Sequence, residues 1–422
     1  MSLQPYRLFP VLAAAFLLLS GGCSDSPAPN LEEQARDIHA RILTVDTHVD
    51  TPFNLLREDW KIGDRHNFEE RGGGRVDLPR MIEGGLDAVF FAVFVGQGPL
   101  TPEGYQQARE RADRVLEAVH DMCREYGEVI GLALDPDDAY RLKKEGRRVA
   151  FIGMENGYPL GTNLDLLRDY HQRGIRYLGL VHGSDNQICD SSTDRRNPED
   201  NGLSAFGRDV VLECNRLGLM VDLSHASDRT FTEVLEITRA PVIASHSSVR
   251  ALCDSPRNLN DDMLRALAEN GGVIQICFLS SYLRTPAPNP EREAALKDLT
   301  AKYGNLREIE DEELRKTART EYEDINVRFP LERASVKDVV DHIDHVIRIA
   351  GEDHVGIGTD FDGGGGVVGC EDASGMMNVT VEMLRRGYSE ERIEKIWGGN
   401  IMRVFRDVIA VAADLSDETG DE

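Results

Sequence analysis

Eight apolar, β-branched runs recur along the chain, each followed by a longer stretch of helical periodicity, and this alternation constrains the fold more than any other feature. The runs are RILTVDTHVD (41–50), LDAVFFAVF (86–94), RVAFIGMEN (148–156), IRYLGLVH (175–182), GLMVDLSH (218–225), APVIASHS (240–247), GGVIQICFLS (271–280) and DHVGIGTDFDG (353–363). Strands buried on both faces of a parallel sheet read as such near-continuous apolar runs. Intervening segments such as TPEGYQQARERADRVLEAVHDMCREYG and LDLLRDYHQRG close on a glycine that suits a helix C-terminus. The pattern predicts an α/β fold, a (β/α)8 barrel of TIM type. A doubly wound open sheet also alternates, and at this point it stays open.

Two places break the rhythm. Residues 51–85 form a polar, glycine-rich connection, and residues 284–335 form a charged helical insertion after the seventh strand. The insertion reads either as solvated surface helices or as a lid or subunit contact over the barrel mouth. The first residues differ in kind: one arginine, an apolar run over residues 9–19, then small residues before Cys23. The run is too short for a comfortable membrane span and reads as a signal peptide over 1–23 of lipoprotein type, with Cys23 as the lipidated residue. Ser20 stands where such signals usually carry leucine. Residues 24–36 read as a linker, 37–415 as the barrel domain with its insertion, and 416–422 as an acidic tail. Export to the periplasm or cell envelope follows from that leader. The membrane then enters only through a lipid or signal anchor.

The chain has 48 Lys+Arg against 74 Asp+Glu, a net charge of −26. Such a surface repels phosphate backbones and anionic bilayers, which argues against nucleic-acid and membrane-surface partners. The seven cysteines form no CxxC motif. Some could pair in an exported protein, while Cys214 and Cys277 read equally well as buried thiols.

The chemistry lies where the runs end. The first ends at His48 and Asp50, the third at Glu155, the fourth at His182, the fifth at His225, the sixth at His246 and the eighth at Asp360. On a strand, residues two apart share a face, so His48 and Asp50 are expected side by side. In a barrel the carboxyl ends of all strands converge on one face, where active sites of this fold lie. Imidazoles mixed with carboxylates suit a borderline divalent ion such as zinc. With a bridging carboxylate the set could serve two ions roughly 3.5–4 Å apart, an arrangement used for hydrolysis of C–N and related bonds. Singly, each residue could be a hydrogen-bonded core group, but chance would scatter these types over starts, middles and ends of strands. His342 and His345, three apart on a predicted helix, form a weaker metal-binding pair.

The segments DTHVD, GMENG, LVHGSDNQICDSSTD, VDLSHAS, ASHSSVRALCDSPRNLNDD, VGIGTDFDG and GGNIMRVF, in order from about residue 40 to 406, resemble the membrane (renal) dipeptidase family, peptidase family M19 of the amidohydrolase superfamily. The HGSDNQICDSS form is similar to its bacterial branch. The resemblance implies two zinc ions per chain: His48, Asp50 and Asp360 on one, His225 and His246 on the other, Glu155 between them. It also implies that Asp360 manages the proton, that His182 donates to the oxyanion, that Arg257 grips the substrate's terminal carboxylate, and that Tyr282 lines the pocket. Dipeptides, L,L and in some members L,D, are the implied substrates, with a homodimer as a further implied state. The chain departs from the mammalian members: Ser184 and the LRT after Tyr282 replace cysteines, so those disulfides cannot form. FDGGGGVVGCEDASG is unusually glycine-rich, which suggests a mobile rim loop.

The leading expectation is therefore a zinc dipeptidase. An amidohydrolase acting on a modified peptide is the alternative within the class, and a non-catalytic binding lipoprotein is the alternative outside it. Arg257 separates the first two, because only a dipeptidase needs the free carboxylate.

Overall fold

A computed structural model describes residues 1, 30–70, 72–194, 196–197, 199–304, 306, 309 and 311–419. The expected signal peptide and Cys23 lie outside the described residues.

The eight expected runs all form strands. In sequence order the sheet contains β1 (Val45–Val49), β2 (Ala88–Phe94), β3 (Ile130–Leu132), β4 (Arg148–Glu155), β5 (Ile175–Gly179), β6 (Met220–Asp222), β7 (Ile243–Ser247), β8 (Val273–Ile276) and β9 (Val355–Ile357). The order round the sheet is β1-β2-β4-β5-β6-β7-β8-β9, with every pairing parallel. The ends of β1 and β9 meet: the Asp50 N–H donates to the Phe361 carbonyl at 2.8 Å and the Asp360 N–H to the His48 carbonyl at 3.0 Å. That closure makes a barrel and removes the open-sheet alternative. The extra strand β3 pairs only with the start of β4. Three residues are too few to show a periodicity, so the sequence pattern passes over it.

The lower half of the barrel is filled and closed. Val45, Phe90, Phe151, Tyr177, Met220, Ile243 and Val273 cluster with Ile401, Met402, Phe405 and Val408 of the last helix, Asn400–Thr419. Phe90 stacks on Phe151 at 4.6 Å, and Phe151 meets Phe405 edge-on at 5.9 Å. Each such ring buried fully adds about 2–3 kcal/mol. With this end sealed, polar side chains at the strands' carboxyl ends have only the opposite mouth to occupy.

Domain edges differ from expectation at both ends. Residues 31–36, expected as linker, begin the helix Leu31–Arg41, which the Asn30 side chain caps and which buries Ala35 and Ile38. Residues 416–419, expected as tail, continue the last helix. Both segments carry many charges, which hid their helical register from a reading by composition.

The insertion forms two helices, Pro290–Tyr303 and Glu312–Arg328, that bury Leu299, Ala318 and Ile325. Arg292 ties them together through the Phe329 carbonyl (2.9 Å) and Asn326 Oδ1 (2.7 Å). The expected mobile rim loop is instead fastened: Gly366 N–H donates to the Phe278 carbonyl, Val368 N–H to the Ala334 carbonyl, and Arg75 and Arg333 bond its backbone. His342 and His345 do not make a metal pair. His342 Nδ1 accepts the Val249 N–H at 3.0 Å while Nε2 meets the Leu283 carbonyl, and His345 Nε2 bonds Asp261 at 2.7 Å. The six described cysteines are all free thiols.

Candidate metal centre

Three features of the backbone bring the site together. First, β1 carries one extra residue against β2 between Asp46 and Val49, and β7 one extra against β8 between Ala244 and Ser247. Such bulges re-aim side chains at a barrel rim, and here they fall on His48 and His246. Second, β5, β6 and β9 stop three residues before His182, His225 and Asp360, so these three stand on loops rather than on strand ends as expected. Third, the non-glycine residues with left-handed backbone among the described residues are Asn156, His225, Asp360 and Asp362 (φ 61–73°). All four are site residues or neighbours of one, and such strain persists only where the surroundings impose it.

The side chains converge on Glu155. Its Oε2 lies 3.5 Å from His48 Nε2, which in turn is 3.6 Å from Asp50 Oδ2. Its Oε1 lies 3.0 Å from His225 Nε2, 3.5 Å from His246 Nε2 and 3.8 Å from His182 Nε2. One carboxylate thus turns each oxygen to a different donor group. Asp360 groups with His48 and His246, one imidazole from each expected ion. All the expected ligands are therefore brought together. His182 falls within the same range of Glu155 and His225 as a ligand would.

The residues fit a divalent-ion pair. The buried His48 Nε2 has no hydrogen-bond partner, and His225 and His246 turn their Nε2 atoms to each other at 3.0 Å. Imidazole nitrogens and carboxylate oxygens that lie this close together form groups able to hold a metal ion. Burial alone would raise Glu155, but the imidazoles of His48 and His182 outweigh it and hold the carboxylate well below its usual range. Burial and then the charge of Asp50 push Asp360 well above its usual range. Burial holds His225 and His246 well below 6.5 as neutral imidazoles.

A pocket of about 340 Å³ opens onto this cluster. Arg257 lines it at only 3% exposure, bonded to the His246 carbonyl (3.1 Å) and Ser247 Oγ (3.3 Å), with Nε unpartnered. It makes no ion pair with any described carboxylate. Its guanidinium lies 5.3 Å from the Tyr282 ring. Phe53 and Phe94 form the facing apolar wall, 5.7 Å apart and edge-on, with Phe94 also 4.5 Å from His182. No described residue of the 290–328 helices lines the pocket, so the lid reading finds no support in the lining.

Several contributors were invisible to a search for ligand-type residues. Tyr177 Oη bonds His48 Nδ1 at 2.9 Å, and the absence of a side chain at Gly153 makes room for its ring: a Cβ there would stand 2.0 Å from it. Asp362, held by Thr51 Oγ1 at 2.7 Å, also lines the pocket. Phe94 carries no sequence signal beyond its place at the end of β2, and Phe53, in the short helix Pro52–Leu55 after β1, carries none.

The chain is similar to known proteins in sequence and in fold. A family model described as membrane dipeptidase, peptidase family M19, matches residues 32–419. A dipeptidase of Claviceps purpurea, tcpJ, is 34% identical over 84% of this chain and 74% of its own. The crystal structure of the probable dipeptidase PvdM from Pseudomonas aeruginosa superposes with a TM-score of 0.79 at 31% identity, covering 90% of this chain and 99% of that one. A metallopeptidase from Rhodobacter sphaeroides, solved with a phosphinate mimic of L-Ala-D-Ala, superposes at 0.68 with 26% identity, covering 87% and 99%.

Proposed function

The chain belongs to the membrane dipeptidase family, peptidase family M19, and from that premise we propose that it is a two-zinc enzyme hydrolysing L,L and L,D dipeptides. Family membership makes it a metal-dependent dipeptidase; zinc, the number of ions and the stereochemistry form the proposal. One observation carries the substrate class: Arg257 is a buried guanidinium without a counter-ion. Burying an unpaired charge costs several kcal/mol, and a substrate carboxylate would offset that cost through paired N–H donors.

His48, Asp50 and Asp360 would hold one ion and His225 and His246 the other, with Glu155 bridging. When bound, the ions acidify a water and polarise the scissile carbonyl. Asp360 takes the proton released there and returns it to the leaving amine, a general-acid/base task worth roughly 10²–10⁴-fold. His182, at the rim and 35% exposed in its side chain, donates to the oxyanion as the carbonyl becomes tetrahedral. Arg257 fixes the distance from the carboxylate to the reacting carbonyl, leaving space for one residue after the scissile bond. Tyr282 walls that side, and Phe53 and Phe94 wall the other. The Rhodobacter relative's L-Ala-D-Ala mimic supports an L,D capacity. The HGSDNQICDSS loop supports a place in the bacterial branch, although fungal relatives also match.

Free dipeptides and their C-terminally amidated twins test this reading side by side. Turnover of the free forms is expected to exceed that of the amides by roughly 100-fold or more, from a buried charge contact of about 3 kcal/mol. Equal turnover of both would keep the metal chemistry and transfer the chain to amidohydrolases of modified peptides. The apolar leader and Cys23 support an envelope-anchored location. Among the described residues no helix is long and apolar enough to cross a membrane. The mass of the mature N-terminus checks the anchor: a lipidated Cys23 is expected, and an unmodified N-terminus contradicts it.

A further inference from the structure

Behind the ligand His246 stands a buried chain of hydrogen bonds. Asp222, the last residue of β6, is 1% exposed. Its Oδ1 accepts the N–H groups of Ser224 (3.0 Å) and Ser245 (2.8 Å), and its Oδ2 accepts the Ser245 hydroxyl at 2.6 Å. Ser245 Oγ lies 2.9 Å from His246 Nδ1. The two neighbours Ser245 and His246 can meet in this way because they lie in the β7 bulge. Ser224 Oγ accepts the His246 backbone N–H at 3.0 Å, which holds that residue's main chain as well.

The direction of the chain decides the imidazole. A carboxylate only accepts, so the Ser245 hydroxyl must give its single proton to Asp222. Its oxygen is then left with lone pairs, and toward it His246 Nδ1 can only donate. The proton therefore sits on Nδ1, and the Nε2 lone pair points at Glu155 and His225. We infer that Asp222, acting through Ser245, is a positioning residue that locks His246 in its metal-binding tautomer before any ion arrives. This inference rests on the metal reading above. A carboxylate behind a ligand histidine commonly raises metal affinity 10–100-fold; here a serine is interposed. By contrast the buried Nδ1 of His225 has no partner, so only one of these two imidazoles is set by a relay.

The relay can be reversed by a single atom. In Asp222→Asn the amide oxygen still accepts the two backbone N–H groups, but an NH₂ replaces Oδ2 and donates to Ser245 Oγ. The serine proton then has His246 Nδ1 at 2.9 Å as its nearer acceptor, with Ser224 Oγ at 3.4 Å the other, and the bond to Nδ1 places the proton of His246 on Nε2, in the metal site. Ser245→Ala merely deletes the relay, and Ser245→Thr keeps the hydroxyl. The test is ¹⁵N-histidine NMR of the metal-free proteins, with His246 assigned by His246→Asn, together with zinc affinity by chelator competition. The wild type and Ser245→Thr are expected to show Nδ1–H; Asp222→Asn is expected to show Nε2–H and a 10–100-fold weaker zinc affinity. An unchanged tautomer in Asp222→Asn overturns the inference, as does a lowered melting temperature with unchanged zinc affinity, which would mark Asp222 as a fold residue only. A wild type that binds no zinc would defeat the metal reading, whereas the tautomer in the metal-free protein would still decide the relay.

Discussion

Replacing Glu155 by glutamine is expected to abolish binding of both ions and to lower turnover of dipeptides roughly 10³-fold or more, since the metals supply several kcal/mol of transition-state stabilisation. The reason is geometric. Oε2 faces His48 and Asp50, while Oε1 faces His225 and His246. An amide of the same size keeps one oxygen and turns an NH₂ toward the other donor set, where it meets imidazole lone pairs that need a cation. Zinc is expected to raise the melting temperature of the wild type by mass action on the folded state, and that rise should vanish in the variant. Metal analysis after dialysis and thermal melts with and without zinc check both statements. Retention of two ions by the variant would mean that Glu155 is not the bridge.

The second large effect concerns Arg257. Its replacement by methionine, close in length and apolar, is expected to reduce kcat/KM for free dipeptides by roughly 30- to 4,000-fold, the 2–5 kcal/mol typical of a buried charge contact losing one partner. For C-terminally amidated dipeptides the change should be small, because that contact was never made. Much of this remote binding energy serves to orient the reacting carbonyl, so kcat should fall along with the rise in KM. The metal-free fold should not suffer. Relief of an uncompensated buried charge offsets the loss of its hydrogen bonds to the His246 carbonyl and Ser247 Oγ. Equal losses on free and amidated substrates would show that Arg257 supports the pocket rather than reads the carboxylate.

That the side chains around Glu155 would meet was legible because they are unusual where they stand. His, Asp and Glu at the carboxyl ends of apolar runs have few structural excuses, and one fold brings all those ends to one mouth. What escaped was built from ordinary residues. Tyr177 and Ser245 look like core and strand residues, and their role depends on bond directions that no spacing reveals. The bulges in β1 and β7 also leave no mark, since one extra residue in an apolar run keeps it apolar. The same blindness extended β5, β6 and β9 too far: the two residues before His182, His225 and Asp360 are apolar or small in each case, yet they lie outside the sheet, and His225 and Asp360 have left-handed backbone. Asp222 is the plainest case. It lies in the quoted motif VDLSH near a histidine that reads as a ligand, and only the structure shows that its carboxylate is linked through Ser245 to a different histidine, on the next strand.

The most direct measurement is a zinc titration of the metal-free enzyme, with turnover of a free dipeptide and bound zinc per chain followed together. Activity should climb until two ions are bound and then level off, because in the proposed centre each oxygen of Glu155 would serve its own ion. Full activity at one ion per chain, or activity without any, would contradict the two-metal account.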